Sequence, residues 1–478
     1  MRIYPLFKCL SILLVAISFQ LTTKAQQYFA LHGSDYAGAP AIFNNPAANV
    51  NSRHPWDITL FNFNLGIITN AIYLNNFKFP SASKTEVTLI PGTHNRSLHA
   101  TIDVGLLNSM YKINKKTVIG FGIRARTLNH FKTNAFGYSD TITSFHQFLK
   151  ANRSNNFIDF NSRHAGWLEF DLNYGRTLFE TPLRKINVGA TLQIMKGISG
   201  AYASVNRLSY VESVRPFDTA YKITDGTGAY AYSANYDSWS PYYTTSGNLK
   251  QFLKNGPTAL GLSIGAEFIW FKDEYNGEEN EPRQYSWKLG ISIMDIGFAK
   301  FKTSEYTLNF GNPKTILEDW QISKKLQGIA DAKGLRDSLA TLFDTTTALP
   351  ASFKMRIPTR LVINADHDLG NHFFINAQAS LNLYSSSYGK TMNVRELSLL
   401  TLTPRWETRT WGLYMPIQYN TQGQLWIGGA FKAGPLIMGI HDYKLFLTKD
   451  PMINGGAYLL IQVHPFKEKA RRSRYDCL

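Results

Sequence analysis

Cysteine is almost missing from this chain. Only Cys9 and Cys477 occur in 478 residues, and Cys9 lies inside the first apolar run. Once that run is removed a single thiol remains, so no internal disulfide staples the fold. Long apolar runs are missing too. After the first one no stretch reaches 18 consecutive apolar residues, which excludes helical membrane spans. Catalytic spacing is equally absent. None of the 11 histidines sits in a His-Glu-x-x-His pattern, and no Cys-x-x-Cys, phosphate-binding loop or Gly-x-Ser-x-Gly elbow occurs. Gly120 and Gly122 lie inside a strand pattern, away from any strand-to-helix turn, so they are no dinucleotide fingerprint. The expectation is a chain with no catalytic residues, no metal and no cofactor. Acidic residues are scarce: Asp and Glu total 34 against 50 Lys and Arg, a net charge of +16. The excess is spread rather than gathered in one patch. We therefore expect no nucleic-acid partner, and assign exposed cations to the phosphates of outer-membrane lipid and lipopolysaccharide. Residues 467–478 read as a basic periplasmic tail.

Residues 1–25 read as a signal peptide. Arg2 and Lys8 precede an apolar stretch at 10–21, and Thr23-Lys24-Ala25 places small residues where a signal peptidase cuts. The implied route leads out of the cytoplasm.

What the chain has in quantity is strict one-by-one alternation. In residues 185–195, Ile186, Val188, Ala190, Leu192 and Ile194 fall on one face, and Lys185, Asn187, Gly189, Thr191 and Gln193 on the other. Side chains alternate across a strand, so each such segment has one greasy and one wet face. The pattern returns at 98–106, 117–126, 168–176, 259–271, 285–297, 360–366, 371–383, 396–406, 411–419, 425–431, 436–443 and 455–464. With a first strand from residue 57 the total is about fourteen. Short polar or Gly/Pro links alternate with three long ones, 127–164, 199–257 and 302–353. Strands of this length suit a tilted membrane crossing, and short turns at one end with long loops at the other suit an outer-membrane barrel. The sequence thus predicts an all-β fold: a single transmembrane β-barrel of antiparallel strands over 57–466, in the outer membrane of a Gram-negative cell. An N-terminal plug or lead-in fills 26–56, and one long loop carries one or two amphipathic helices near 314–343. A soluble secreted β-sandwich or propeller is the alternative.

Closure is required because unpaired backbone groups in hydrocarbon cost several kcal/mol each. The wet face then lines the lumen and carries Asp103, Arg124, Arg126, Glu169, Asp171, Glu267, Lys288, Arg360 and Asp366. Charges of both signs suit mutual pairing across a narrow interior. Aromatic residues make up 14% of the chain, and Trp56, Trp406 and Trp411 are assigned to an interfacial girdle.

Residues 35–49 (DYAGAPAIFNNPAAN) resemble the N-terminal signature of the long-chain fatty-acid transporter superfamily, where an Ala/Gly-rich stretch leads to an Asn-Pro-Ala element before the first strand. Here that element is Asn45-Pro46-Ala47. The resemblance implies a fourteen-stranded barrel with an N-terminal plug and transport of a hydrophobic or small solute. High Asn and Tyr content, the 406–411 stretch WETRTW and Gly434-Pro435-Leu436 look similar to a Bacteroidota branch. That branch includes barrel components of type IX secretion and gliding machinery, which implies the alternative of a non-enzymatic scaffold for partner proteins. Hydrophobic small molecules and secretion-machinery proteins are the partners these two readings name.

Overall fold

The computed structural model describes residues 30–75, 86–155, 157–216, 218–240, 242–272, 284–384, 391–393, 398–421, 423–444 and 454–464. The expected signal peptide and basic tail lie outside the described residues. Alternating faces force extended chain, and fourteen antiparallel staves close into one barrel. They are β1 (Trp56–Thr69), β2 (Gly92–Asn114), β3 (Thr117–Tyr138), β4 (Ile158–Glu180), β5 (Arg184–Val214), β6 (Thr258–Phe271) and β7 (Tyr285–Lys302). The second half contains β8 (Arg360–Gly370), β9 (Phe373–Asn382), β10 (Leu399–Glu407), β11 (Trp411–Tyr414 with Ile417–Asn420), β12 (Leu425–Ile427 with Gly429–Ala433), β13 (Leu436–Ile440) and β14 (Asn454–Val463). Interruptions at Met415-Pro416 and Gly428 split β11 and β12, and the Gly428 N–H donates to the Pro416 carbonyl at 2.8 Å. Closure is direct: β1 pairs with β2 on one side and with β14 on the other, from Ile58↔Val463 to Ile68↔Asn454.

The side-chain period sorts the two faces cleanly. On the outside, Leu192, Ile194, Leu260, Leu262, Ile264, Leu289 and Ile291 are each more than a third exposed. Inside, Lys185, Asn187, Thr191 and Gln193 on the same β5 are buried. One end carries tight turns such as 115–116, 181–183, 371–372 and 434–435. Exposed aromatics crowd this end: Tyr111, Tyr174, Phe179, Trp287, Phe373 and Trp411. Trp56 packs against Tyr111 with tilted rings, centroids 4.2 Å apart. Trp406 is half-buried near its β9 partner Phe373. Trp270 and Trp287 are paired across β6 and β7 and belong to the same ring.

At the other end the structure corrects the sequence reading. Much of the links placed at 127–164 and 199–257 is strand. β3 continues to Tyr138, β4 begins at Ile158 and β5 runs to Val214. The 31 residues of β5 extend roughly 100 Å along the strand at about 3.3 Å per residue, while its alternating apolar face occupies only residues 186–194. The upper half therefore stands clear of the greasy band. There β5 pairs with Thr219–Tyr232, which pairs with Leu308–Pro313, which pairs with Phe343–Thr347. Helices α1 (Phe145–Ala151), α3 (Asp319–Leu326) and α4 (Ala332–Ala340) pack on this platform, and α2 (Thr245–Asn255) lies before β6. The stretch 302–353 holds α3 and α4, as its helical spacing predicts, but strands flank them. Ser352–Arg356 pairs with the top of β7 and, in parallel, with Thr391–Asn393. Its Phe353 and Met355 join Trp167, Met195 and Phe301 in a buried apolar cluster.

Candidate functional site: the inner segment and its seat

Residues 30–55 do not join the wall. They lie against its inner face, and nearly all of residues 30–52 are buried. Two 3-10 turns, Ala39–Phe43 and Ala48–Asn51, give the segment its shape. Gly38 opens the first with φ of 61°. A Cβ there would lie 2.3 Å from an oxygen of Asp57 and 2.1 Å from the Gln462 amide, so only glycine fits. Asp57 accepts a hydrogen bond from the Ala39 N–H at 2.8 Å, satisfying a donor at the start of the turn.

The Asn45-Pro46-Ala47 element docks on one strip of wall. The Asn45 Nδ2 donates to the Ala266 carbonyl at 3.0 Å, and its Oδ1 accepts from the Ala47 N–H at 3.0 Å. The Pro46 carbonyl accepts from the Asn173 Nδ2 at 3.1 Å. Opposite lie three glycines in register on neighbouring strands: Gly175 on β4 pairs with Gly189 on β5, which pairs with Gly265 on β6. A Cβ at Gly189 would fall 2.3 Å from the Pro46 carbonyl oxygen, and one at Gly265 would fall 2.2 Å from the Asn45 Oδ1. Gly290 on β7 adds a fourth position, 2.8 Å from the Asn45 Nδ2. The glycines form a groove into which the backbone of the segment settles. Alternation places them inward. Their mutual alignment depends on register across strands, which one sequence does not display.

All nine charges named from the alternation are buried. The structure gathers them into two groups with others that the sequence reading missed. In the first, Arg124 contacts Glu169 at 2.6 Å and Asp103 at 3.3 Å, with Asp171 at 4.0 Å. Arg126 bridges Glu169 at 3.2 Å and Asp295 at 3.1 Å, and Arg360 lies 3.8 Å from Asp295. This group grips Phe43. Arg124 lies over its ring at 4.0 Å, and Arg360 donates to its carbonyl at 2.7 Å. Asp295 escaped the sequence reading because it sits at a bulge between Ile293 and Ile296, with φ of 58°, where the period of two is broken. In the second group Arg405 binds Asp366 through two nitrogens at 2.5 and 2.9 Å and contacts Glu407 at 3.1 Å. Tyr285 donates to Asp366, and Ser34 of the inner segment donates to Glu407 at 2.7 Å. Lys288 pairs with Asp35 at 2.6 Å, and Glu267 accepts from Asn51.

Two histidines of the inner segment are held neutral. Burial, helped by the nearby Arg360 charge, lowers His32 to about 3. Burial, then His464 stacked 3.6 Å away, lowers His54 to about 3. A small polar pocket remains between the segment and the wall, lined by His32, Ser34, Asn44, Glu267, Lys288 and Asn364 among others. Among the described residues no group of three or more His, Cys, Asp or Glu is placed to hold a metal ion. The arrangement is suited to holding a peptide segment inside a tube.

The chain belongs to a family of unknown function (DUF5723), whose sequence model matches residues 46–440. No curated protein matches it. Among solved structures it is similar to the toluene transporter TbuX of Ralstonia pickettii, at 9% identity, with 89% of this chain and 92% of that one covered and a TM-score of 0.37. It is also similar to a FadL homologue of Pseudomonas aeruginosa, at 12% identity, 91% and 95% coverage and a TM-score of 0.38. The toluene transporter TodX of Pseudomonas putida follows at 10% identity, 92% and 93% coverage and a TM-score of 0.31. Closure of the barrel rests on its own strand pairing.

Proposed function

We propose that this member of the family is an outer-membrane β-barrel that passes hydrophobic or small solutes when its inner segment, acting as a plug, shifts in its seat. The single supporting observation is the division of the wall. The outer face carries an apolar band edged by aromatic rings, while the inner face is polar and already occupied. An apolar band facing water around a whole barrel is untenable, whereas lipid covers it at no cost. The plug is a separate segment held by hydrogen bonds and ion pairs, so it can move without unpairing a stave.

The test uses the mature chain in detergent and then in liposomes. Extraction should require detergent, and proteoliposomes should take up a monoaromatic or fatty-acyl probe faster than empty vesicles. A chain that stays monodisperse in plain buffer would overturn the membrane reading. Uptake equal to that of empty vesicles would overturn transport. The tall strand platform favours a second reading, a scaffold for secretion or motility proteins. Co-purification of a stoichiometric partner without solute uptake would support it.

A further inference from the structure

The wall carries an attached unit that neither solute passage nor barrel closure explains. Residues 234–240 and 242–257 comprise a 3-10 turn, Ala234–Ser238, and helix α2. Their place is fixed by Lys196 on β5. Lys196 is paired with Leu168 and Thr258 on the flanking strands, so all three share a face. That face is the outer one, because it continues into Ile194 and Leu192 on β5 and Leu260 on β6, all exposed. The Lys196 Nζ donates to the Gly256 carbonyl at 2.5 Å, and the Gly197 N–H donates to the Pro257 carbonyl at 2.8 Å. Asn235 donates to the Ile198 carbonyl at 2.5 Å. The unit is therefore pinned at the upper rim of the greasy band, on the lipid side.

Its parts are packed and hydrogen-bonded to one another. Phe252 is buried against Tyr236 and Trp239, with ring centroids at 5.1 and 6.3 Å. Asn248 is buried and bonds Ser240 at both its N–H and its carbonyl, at 2.9 and 2.8 Å. With those side chains satisfied, the unit still presents Trp239, Tyr242, Tyr243 and Leu249, each more than half exposed, and Tyr242 is 94% exposed. Lys250 and Lys254 are exposed beside Leu249, one helical turn apart. Apolar rings next to paired cations, at the level where hydrocarbon ends, match an interfacial anchor.

We infer that residues 234–240 and 242–257 form an outer-leaflet anchor. Trp239, Tyr242, Tyr243 and Leu249 enter the headgroup boundary, and Lys250 with Lys254 bind the phosphates of an anionic outer-leaflet glycolipid. The inference rests on the membrane reading above, and the experiment separates the two. In a Cys477→Ser background, single spin labels are placed by Leu192→Cys in the band, Val214→Cys at the top of β5, and Tyr242→Cys and Leu249→Cys in the unit. Accessibility to oxygen and to a polar nickel complex is then read in liposomes. The expected result is lipid-like behaviour at 192, water-like at 214, and values at 242 and 249 shifted to the lipid side of 214. Labels at 242 and 249 that match 214 while 192 stays lipid-like overturn the anchor alone. A water-like 192 overturns the membrane reading itself. In a second arm, Lys250→Gln/Lys254→Gln should weaken binding to vesicles carrying lipid A about 25-fold, roughly fivefold per charge removed. Binding to phosphatidylcholine vesicles should not change. Equal binding of the variant and the parent to lipid A vesicles overturns the phosphate assignment.

Discussion

Gly189→Val tests the seat of the plug at its tightest point. A Cβ at residue 189 would lie 2.3 Å from the Pro46 carbonyl oxygen, 2.4 Å from its carbon and 2.7 Å from the Ala47 nitrogen. All three are backbone atoms, so no rotamer change makes room. Restoring contact to about 3.3 Å requires the segment to retreat by about 1 Å. That retreat strains the bond from Asn173 to Pro46 at 3.1 Å, from Asn45 to Ala266 at 3.0 Å and from Ser292 to the Asn44 carbonyl at 2.7 Å. With overpacking at about 1–3 kcal/mol and the three strained bonds together giving up about one bond's worth, about 1 kcal/mol, the seated state should lose about 2–4 kcal/mol. The unseated population then rises by about 30- to 1,000-fold.

The assay is single-channel recording in planar bilayers beside gel heat-modifiability of the folded barrel. Barrel closure should survive, because residue 189 keeps its ladder partners Gly175 and Gly265. Open events should become frequent. Gly66→Ala is the control: it shares the inward face of Asn62 and Asn64, and its added Cβ meets the Thr101 Oγ1 at 3.1 Å and no plug atom. A Gly189→Val barrel that folds and shows the conductance of the parent would refute the groove argument.

Asn45→Ala removes the bonds to Ala266 and Ala47, so open events should rise roughly fivefold to 30-fold from a loss of about 1–2 kcal/mol; an unchanged record counts against the Asn-Pro-Ala seat. Acid should loosen the plug. His32 and His54 are neutral when seated, down to about pH 3, whereas a released segment binds protons near pH 6.5. The seat is therefore at full strength above pH 6.5 and weakens as pH falls toward 3, with His32 alone accounting for about 3 kcal/mol of that loss by pH 4.5. Conductance should rise over that window and flatten in His32→Gln/His54→Gln. Arg405→Met strands the buried Asp366 and Glu407 and should destabilise the barrel by about 3–5 kcal/mol in thermal unfolding. Arg405→Met/Asp366→Asn should recover part of that loss.

The parts legible in the sequence are those where the two faces of the wall must differ. Between Lys185 and Met195 every second residue must be apolar, and the pattern names both faces. Above the band no such rule holds. In 127–138 Phe131 faces neighbouring Phe160 while polar residues occupy both faces, so β3 looks like a loop although it is strand. Asp295 is hidden for a different reason, since one bulged residue shifts the phase of all that follows. Asp57 sits at the start of β1, where two residues give no period to read, whereas Arg405 shares the inward face of Thr401 and Thr403 and is legible in the 396–406 alternation. The glycine groove is half legible: inward glycines are visible on each strand, but only hydrogen-bond register lines up 175, 189 and 265.

The number of ties on the plug decides how it can open. Ala30 bonds Tyr458, Ser34 bonds Glu407, Asp35 pairs with Lys288 and Ala39 bonds Asp57. Farther on, Phe43 accepts from Arg360, Asn44 from Ser292, Pro46 from Asn173 and Ser52 from Lys112, while Asn45 donates to Ala266 and Asn51 to Glu267. These ten ties and an eleventh, from the Gln462 amide to the Ala37 carbonyl at 3.1 Å, reach staves on every side of the lumen. At about 1 kcal/mol each, full ejection costs on the order of 10 kcal/mol, a population near one in ten million. Passage by ejection would therefore be too rare to serve transport. A shift confined to one end, breaking three or four ties, costs about 3–4 kcal/mol and is populated at about one in 150 to one in 1,000. The parent barrel should accordingly show brief, small openings, with the large steady conductance of an empty lumen reserved for a chain lacking residues 30–52. Steady large conductance in the parent would show that the ties are far weaker than their geometry implies.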